Sequence, residues 1–226
     1  MGTLYLVTTP IGNMKDITLR AIEVLSHVDI IACEDTRKTG LLLQKLKITH
    51  KPELISYYEE NEQKRIPEII KYLKEGKSVA LVSNAGTPTI SDPGYKLVRE
   101  CINENIPVES IPGPSSVLTA LTSSGLPTDK FLFLGFLPKK EGKRKQILES
   151  LPKKTTIIFF ESPYRLIKTL KFLKETFGDI EIVICRELTK VFAEVRREKI
   201  QTSINHFLEV KPKGEFVILL HTPRVC

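Results

Sequence analysis

The chain has 226 residues, 41% hydrophobic and 27% charged, with a formal net charge of +7. This balance excludes a disordered or low-complexity protein, and no apolar run is long enough to span a bilayer. The excess of lysine and arginine favours an anionic partner.

The first half alternates strands and helices. Strands are predicted at Thr3–Thr8, Asp29–Cys33, Glu53–Ser56, Ser78–Val82 and Val108–Ser110. Helical patterns lie between them, at Thr18–Ser26, Thr36–Leu46, Gln63–Lys74, Gly94–Glu104 and Ser115–Ser124. Such alternation implies a mostly parallel sheet with flanking helices. Near Ser124-Gly125-Leu126-Pro127 the texture changes, which sets domains at 1–125 and 126–226. Beyond it, strands are expected at Phe131–Gly135, Thr155–Glu161, Glu181–Arg186, Lys190–Arg196 and Glu215–His221, with helices at Arg144–Glu149, Pro163–Phe177 and Ser203–Val210. Several of these strands follow one another directly, so the C-terminal sheet should be smaller and mixed. The fold class is therefore α/β, with two α/β domains.

Three strands of the first half run into turns rich in proline, glycine and hydroxyl residues: Thr8-Thr9-Pro10-Ile11-Gly12-Asn13, Ser83-Asn84-Ala85-Gly86-Thr87-Pro88 and Pro112-Gly113-Pro114-Ser115-Ser116. Ser91-Asp92-Pro93-Gly94 follows the second. Glycine admits a ligand to the backbone, proline holds a turn, and open sheets bind ligands beyond the carboxyl ends of their strands. Three such bends on one domain predict a preorganised small-molecule site.

Other chemistries lose ground. The chain lacks G-x-G-x-x-G after the first strand, a Walker A sequence, H-E-x-x-H and G-x-S-x-G. His27, His50, His206 and His221 are isolated, so no metal site is expected. Cys33, Cys101, Cys185 and Cys226 have no paired spacing; three of them read as buried free thiols in a reducing cytoplasm. The chain opens almost directly on a strand, with no basic, apolar export signal ahead of it. Basic residues concentrate at Lys139, Lys140, Lys143, Arg144, Lys145, Lys153 and Lys154 and again at Arg196, Arg197 and Lys199. RNA phosphates are the leading partner for both clusters, although a polycarboxylate would satisfy the same charge.

A family resemblance sharpens this. Thr9-Pro10-Ile11-Gly12-Asn13, Asp16-Ile17-Thr18, Glu34-Asp35-Thr36-Arg37, Ala85-Gly86-Thr87-Pro88, Ser91-Asp92-Pro93-Gly94 and Pro112-Gly113-Pro114-Ser115 occur in order. Gly135-Phe136-Leu137-Pro138, Phe160-Glu161-Ser162-Pro163, Arg186-Glu187-Leu188-Thr189-Lys190 and Lys213-Gly214-Glu215 follow. Over almost the whole chain this resembles the bacterial 16S ribosomal RNA 2'-O-ribose (cytidine) methyltransferases, of the tetrapyrrole-methylase-like class. Two positions depart from the pattern: Asn84 stands where the family usually has Asp, and Tyr164 where it has His. The chain also ends soon after its last strand, without the helical extension many members carry.

The resemblance implies S-adenosylmethionine as cofactor, held in a cleft between the domains, 16S rRNA or the small ribosomal subunit as partner, a homodimer, no membrane, and a cytoplasmic location. It implies cofactor contacts at Pro10, Gly12, Ser83, Asn84, Gly86, Thr87, Ile90, Ser115, Ser116, Phe160, Glu161 and Gly214. Plainer roles stand beside these: Ser115 and Ser116 can cap a helix, Phe160 can be core, and Gly214 can be a turn glycine. Glu34, Asp35 and Arg37 are the catalytic candidates, Glu34 or Asp35 as base and Arg37 as phosphate or alkoxide partner. Asp35 could equally be an N-cap paired with Arg37. Two rival activities share the scaffold: C-methylation of a tetrapyrrole precursor, and a non-catalytic RNA-binding assembly role.

Overall fold

In the computed structural model, residues 1–222 are described; Cys226 lies outside them. The chain divides into two compact units, Met1–Ser115 and Ser116–Cys226.

The first unit holds strands β1 (Leu4–Val7), β2 (Ile30–Cys33), β3 (Glu53–Ser56), β4 (Val79–Val82) and β5 (Val108–Ile111), in the spatial order β3-β2-β4-β1-β5. Every pairing is parallel. Helices α1 (Leu19–His27), α2 (Thr36–Lys45), α3 (Glu62–Lys74) and α4 (Tyr95–Asn103) cover both faces. Side chains alternate across a strand, so each apolar run feeds two cores. Ile30, Ala32, Val79 and Leu81 pack with Ile69, Leu73 and Leu97 of α3 and α4. Ile31, Cys33, Ala80 and Val82 pack with Ala21, Leu25 and Leu43 of α1 and α2. Burial on both faces explains why these strands are continuously apolar.

The second unit opens with α5 (Ser116–Ser124), followed by β6 (Phe131–Phe136), α6 (Glu141–Glu149), β7 (Thr156–Glu161), α7 (Leu166–Phe177), β8 (Glu181–Arg186), β9 (Glu194–Lys199), α8 (Ile200–Glu209) and β10 (Phe216–His221). Its sheet has the order β6-β7-β10-β8-β9, with β6–β7 parallel and the other pairs antiparallel. With five strands it equals the first sheet in strand number and is not the smaller one. Val117, Ala120 and Leu121 of α5 pack against Ile158, Val183 and Val217, which is why the division falls at Ser115/Ser116 rather than 125/126. On the other face α7 and α8 bury Leu166, Leu170 and Phe207 against Phe159 and Ile218.

Strand β9 is displaced from the predicted Lys190–Arg196. Val191 and Phe192 suggested an apolar strand there, yet they are 93% and 74% exposed, in a turn that follows Thr189 at φ +66°. Cys33, Cys101 and Cys185 are buried free thiols. Among the described residues no helix is long and apolar enough to cross a membrane.

Candidate active site

Parallel strands place all their carboxyl ends on one edge of the first sheet, and the three bends meet there. Thr9 and Gly86 form an antiparallel bridge: Thr9 N–H donates to Gly86 O at 2.9 Å and Gly86 N–H to Thr9 O at 3.0 Å. The Thr9 hydroxyl donates to Ser83 O at 3.2 Å, and the Thr8 hydroxyl lies 3.4 Å from that of Thr87. The third bend closes on the first, since a Cβ on Gly113 would sit 2.9 Å from the Thr8 side chain. Only glycine permits that approach.

From Gly86 to Gly94 the backbone is strained. Gly86, Thr89, Ser91 and Gly94 have φ of +81°, +75°, +64° and +136°. For the β-branched Thr89 this is an outlier, and such strain persists only where the surroundings enforce it. Glu62, 5% exposed, anchors the end of this segment at Gly94. It accepts from the Tyr57 hydroxyl at 3.0 Å and from Gly94 N–H at 3.2 Å, and pairs with Lys96 at 2.9 Å. Burial opposes its ionisation, but the bonds from Lys96, Tyr57 and Gly94 outweigh that and hold the carboxyl below its usual range.

Glu34 follows β2 and faces the second bend. Its Oε2 accepts from Asn84 Nδ2 at 2.7 Å, while its Oε1 is buried with no hydrogen-bond partner among the described residues. Nearby, burial and then the negative charge of Glu34 push Asp92 up to about 6, against a hydroxyl bond from Ser83. A buried acceptor without a donor, beside a carboxyl of raised affinity for protons, marks a place for a ligand carrying O–H or N–H groups. Asp35 is engaged differently. It caps α2, accepting from the N–H groups of Arg37 at 3.0 Å and Lys38 at 3.4 Å, and Arg37 Nη2 reaches it at 3.2 Å. The hydrogen bond from the Arg37 side chain, first among the causes, holds Asp35 below the ordinary carboxylate range. Of the two predicted bases, Glu34 has the open acceptor.

A cavity of about 240 Å³ opens beside these groups, lined by Pro10, Gly12, Ser83 and Asn84 together with Met14 and the outer face of α2. Gly86, Thr87 and Ser115 belong to the same loop edge, and Ile90 is 46% exposed just beyond it. Ser116, Phe160, Glu161 and Gly214 belong to the second unit. Ser116 is the first residue of α5. Phe160 makes edge contacts with Phe133 and Phe136 at 4.9 and 5.5 Å. Glu161 is spent internally, on Arg165, Ser162 N–H and Thr169. Gly214 has φ +92°, and a Cβ there would strike the Glu187 side chain at 2.6 Å, so the position has a packing reason to be glycine.

The basic clusters need correction as phosphate sites. Arg144 is 2% exposed and stacks 4.5 Å over Phe172. Arg196 is held by Glu194 and Glu198 at 3.0 and 2.9 Å, and Arg197 donates to the carbonyls of Ser123 and Ser124. Three arginines expected to meet RNA thus have partners within the second unit, Arg144 buried and Arg197 exposed. Lys139, Lys140, Lys143 and Lys145 remain exposed.

The sequence alone singled out neither Asp92 nor Glu62 for a role. The Ser-Asp-Pro-Gly turn flags Asp92, whereas nothing local flags Glu62, whose partners lie at Tyr57 and Gly94. Asp92→Asn gives a direct test of the strained loop. The native carboxyl has a raised proton affinity, so the folded state binds more protons than the unfolded chain between about pH 4 and 6. Stability from this group is present at low pH and is lost as pH rises through about 6. Discounted for its partial exposure, the cost above that pH is about 1–2 kcal/mol. The Asn variant should melt several degrees above the native chain at pH 7.5, with the gap closing near pH 4. An equal gap at both pH values would show that Asp92 is ordinary.

An α/β fold of this kind, with pinned bends at one sheet edge, places the chain in a defined class. It belongs to the tetrapyrrole (corrin/porphyrin) methylases, whose family model matches residues 3–203. Among curated proteins it is 51% identical to ribosomal RNA small subunit methyltransferase I of Thermotoga maritima, over 97% of this chain and 98% of that protein. The fold matches the crystal structure of uroporphyrin-III-C-methyltransferase from Thermus thermophilus with a TM-score of 0.70, at 21% identity over 97% of this chain and 94% of that one. A Thermus thermophilus structure of that enzyme complexed with S-adenyl homocysteine aligns with a TM-score of 0.65, at 19% identity over 96% and 97%.

Proposed function

We propose that this chain transfers a methyl group from S-adenosylmethionine to the ribose 2'-hydroxyl of a cytidine in 16S ribosomal RNA. The observation that carries the reading is Glu34 Oε1, a buried acceptor without a donor among the described residues, at the edge where the bends converge. Likeness at 51% identity over 97% of the chain to a protein named ribosomal RNA small subunit methyltransferase I supports the substrate.

The cofactor fits the donors and acceptors present. Backbone groups of Gly86, Thr87, Ile90 and Ser115, with Ser83 and Asn84, offer polar contacts that glycine and proline keep rigid. S-adenosylmethionine, when bound, supplies an electrophilic methyl on a sulfonium. The chain's own task is to orient the acceptor hydroxyl and receive its proton, since a ribose hydroxyl is a weak nucleophile at neutral pH. Glu34 Oε1 is the receiving atom, Asn84 fixes the carboxylate through Oε2, and the exposed Arg37 guanidinium, paired with Asp35, is our choice of partner for a substrate phosphate.

We take the assembly to be a homodimer acting in the cytoplasm. Edge strand β6, with Phe131 43% and Phe136 55% exposed, supports a second copy, and a monomer mass by light scattering would remove that part. Mass spectrometric mapping of ribose methylation tests the activity: cells lacking the protein should lose one 2'-O-methylcytidine from 16S RNA. A complete methylation map in those cells, or label passing from the donor to a tetrapyrrole precursor and not to RNA, would overturn it.

A further inference from the structure

Helix α2 presents an outward stripe that the proposed chemistry does not use. Lys38, Leu41 and Lys45 occupy positions i, i+3 and i+7, one face of a helix. Leu41 is 56% exposed between the two lysines, although Leu43 one turn-face away is buried. Neither lysine is paired with an acidic side chain among the described residues. Together with Met14 these side chains form the outer wall of the cavity whose inner wall includes Ser83 and Asn84.

An exposed leucine flanked by two free cations over a polar-floored cavity has a specific complementarity. The cations, about 10 Å apart along the helix axis, suit two phosphates of one strand. The apolar surface between them suits the face of one unstacked base. The cavity is small, about 240 Å³. A single base fits that description, and single-stranded RNA is read through splayed bases while its phosphates are tracked by lysines.

We infer that this face of α2 is a nucleotide groove that seats one unstacked base of the RNA strand against Leu41 and Met14, with Lys38 and Lys45 on its flanking phosphates. The inference rests on the ribosomal RNA reading above and names residues for its substrate side. The lysine pair supplies affinity without sequence information, and the apolar shelf fixes the register of the strand.

The test measures binding of fluorescein-labelled oligocytidylate by anisotropy across a salt series, with calorimetry of S-adenosylmethionine alongside. For single strands each phosphate contact contributes about 0.7 to the slope of log affinity against log salt. The double variant Lys38→Gln/Lys45→Gln should bind about tenfold more weakly at moderate salt, with a slope lowered by about 1.4. Leu41→Ala should weaken binding a few-fold and leave the slope unchanged. Cofactor affinity and melting temperature should not move in either variant. Native slope and affinity in the double variant would overturn the groove. So would retained oligocytidylate binding with loss of binding to intact small subunits, which would assign the face to a protein partner. A native chain that binds the oligonucleotide through this face but transfers no methyl would leave the groove standing and remove the proposed activity.

Discussion

Glu34→Gln should leave the fold intact and lower methyl transfer to ribosomal RNA by roughly 10²- to 10⁴-fold, the range in which a positioned base contributes. The expectation follows from what each carboxylate oxygen does. Oε2 already takes the Asn84 amide, so a glutamine oxygen can keep that bond and preserve the local structure. The other position changes chemical sense, because a buried acceptor without a donor becomes an NH₂ that can only donate. It then meets the acceptor hydroxyl without the capacity to take its proton. The loss should lie in kcat, with S-adenosylmethionine affinity by calorimetry unchanged. Asn84→Ala should cost less, since it loosens the carboxylate but leaves its basicity. If Glu34→Gln instead weakened cofactor binding and spared kcat, Glu34 would be a cofactor ligand and the base would have to be sought at Asp92.

Much of this architecture is legible in the chain because the physics is local. Val79-Ala80-Leu81-Val82 is apolar on both faces, as a central parallel strand must be, and the hydroxyl-rich Pro/Gly turns that end β1, β4 and β5 lie where the bends are found. Strand β9 is hidden for the opposite reason. Glu194–Lys199 is an edge strand of mainly charged residues, and its neighbours Val191 and Phe192 imitate a strand while lying exposed. The site is legible by residue type but not by pairing. Glu34 with Asn84, Glu62 with Gly94 and Gly113 with Thr8 are contacts across the sheet edge, with no periodic trace. Charge misled most: the clusters at Arg144 and at Arg196 and Arg197 look like a phosphate surface, but those guanidiniums stack on Phe172, pair with glutamates or bond carbonyls.

Glu161→Ala should destabilise the second unit by about 3–5 kcal/mol, the cost of breaking a buried ion pair from one side. The carboxylate ends β7 fully buried and organises the entry to α7. Its Oε1 receives Arg165 Nη2 at 2.6 Å and Ser162 N–H at 2.7 Å, and its Oε2 receives the Thr169 hydroxyl at 2.5 Å. Arg165 in turn donates to Leu137 O at 3.0 Å, so one side chain ties β7, α7 and the segment after β6 together. Truncation leaves a mostly buried guanidinium and a backbone N–H without their acceptor. Glu161→Gln keeps the shape and part of the bonding, and should fall between. Denaturant unfolding and amide exchange across α7 would measure the loss. Below its melting transition the Ala variant should bind S-adenosylmethionine with native affinity, because both carboxylate oxygens are already committed within the unit. A variant as stable as the native chain but deficient in cofactor binding would reverse that assignment and make Glu161 a direct contact.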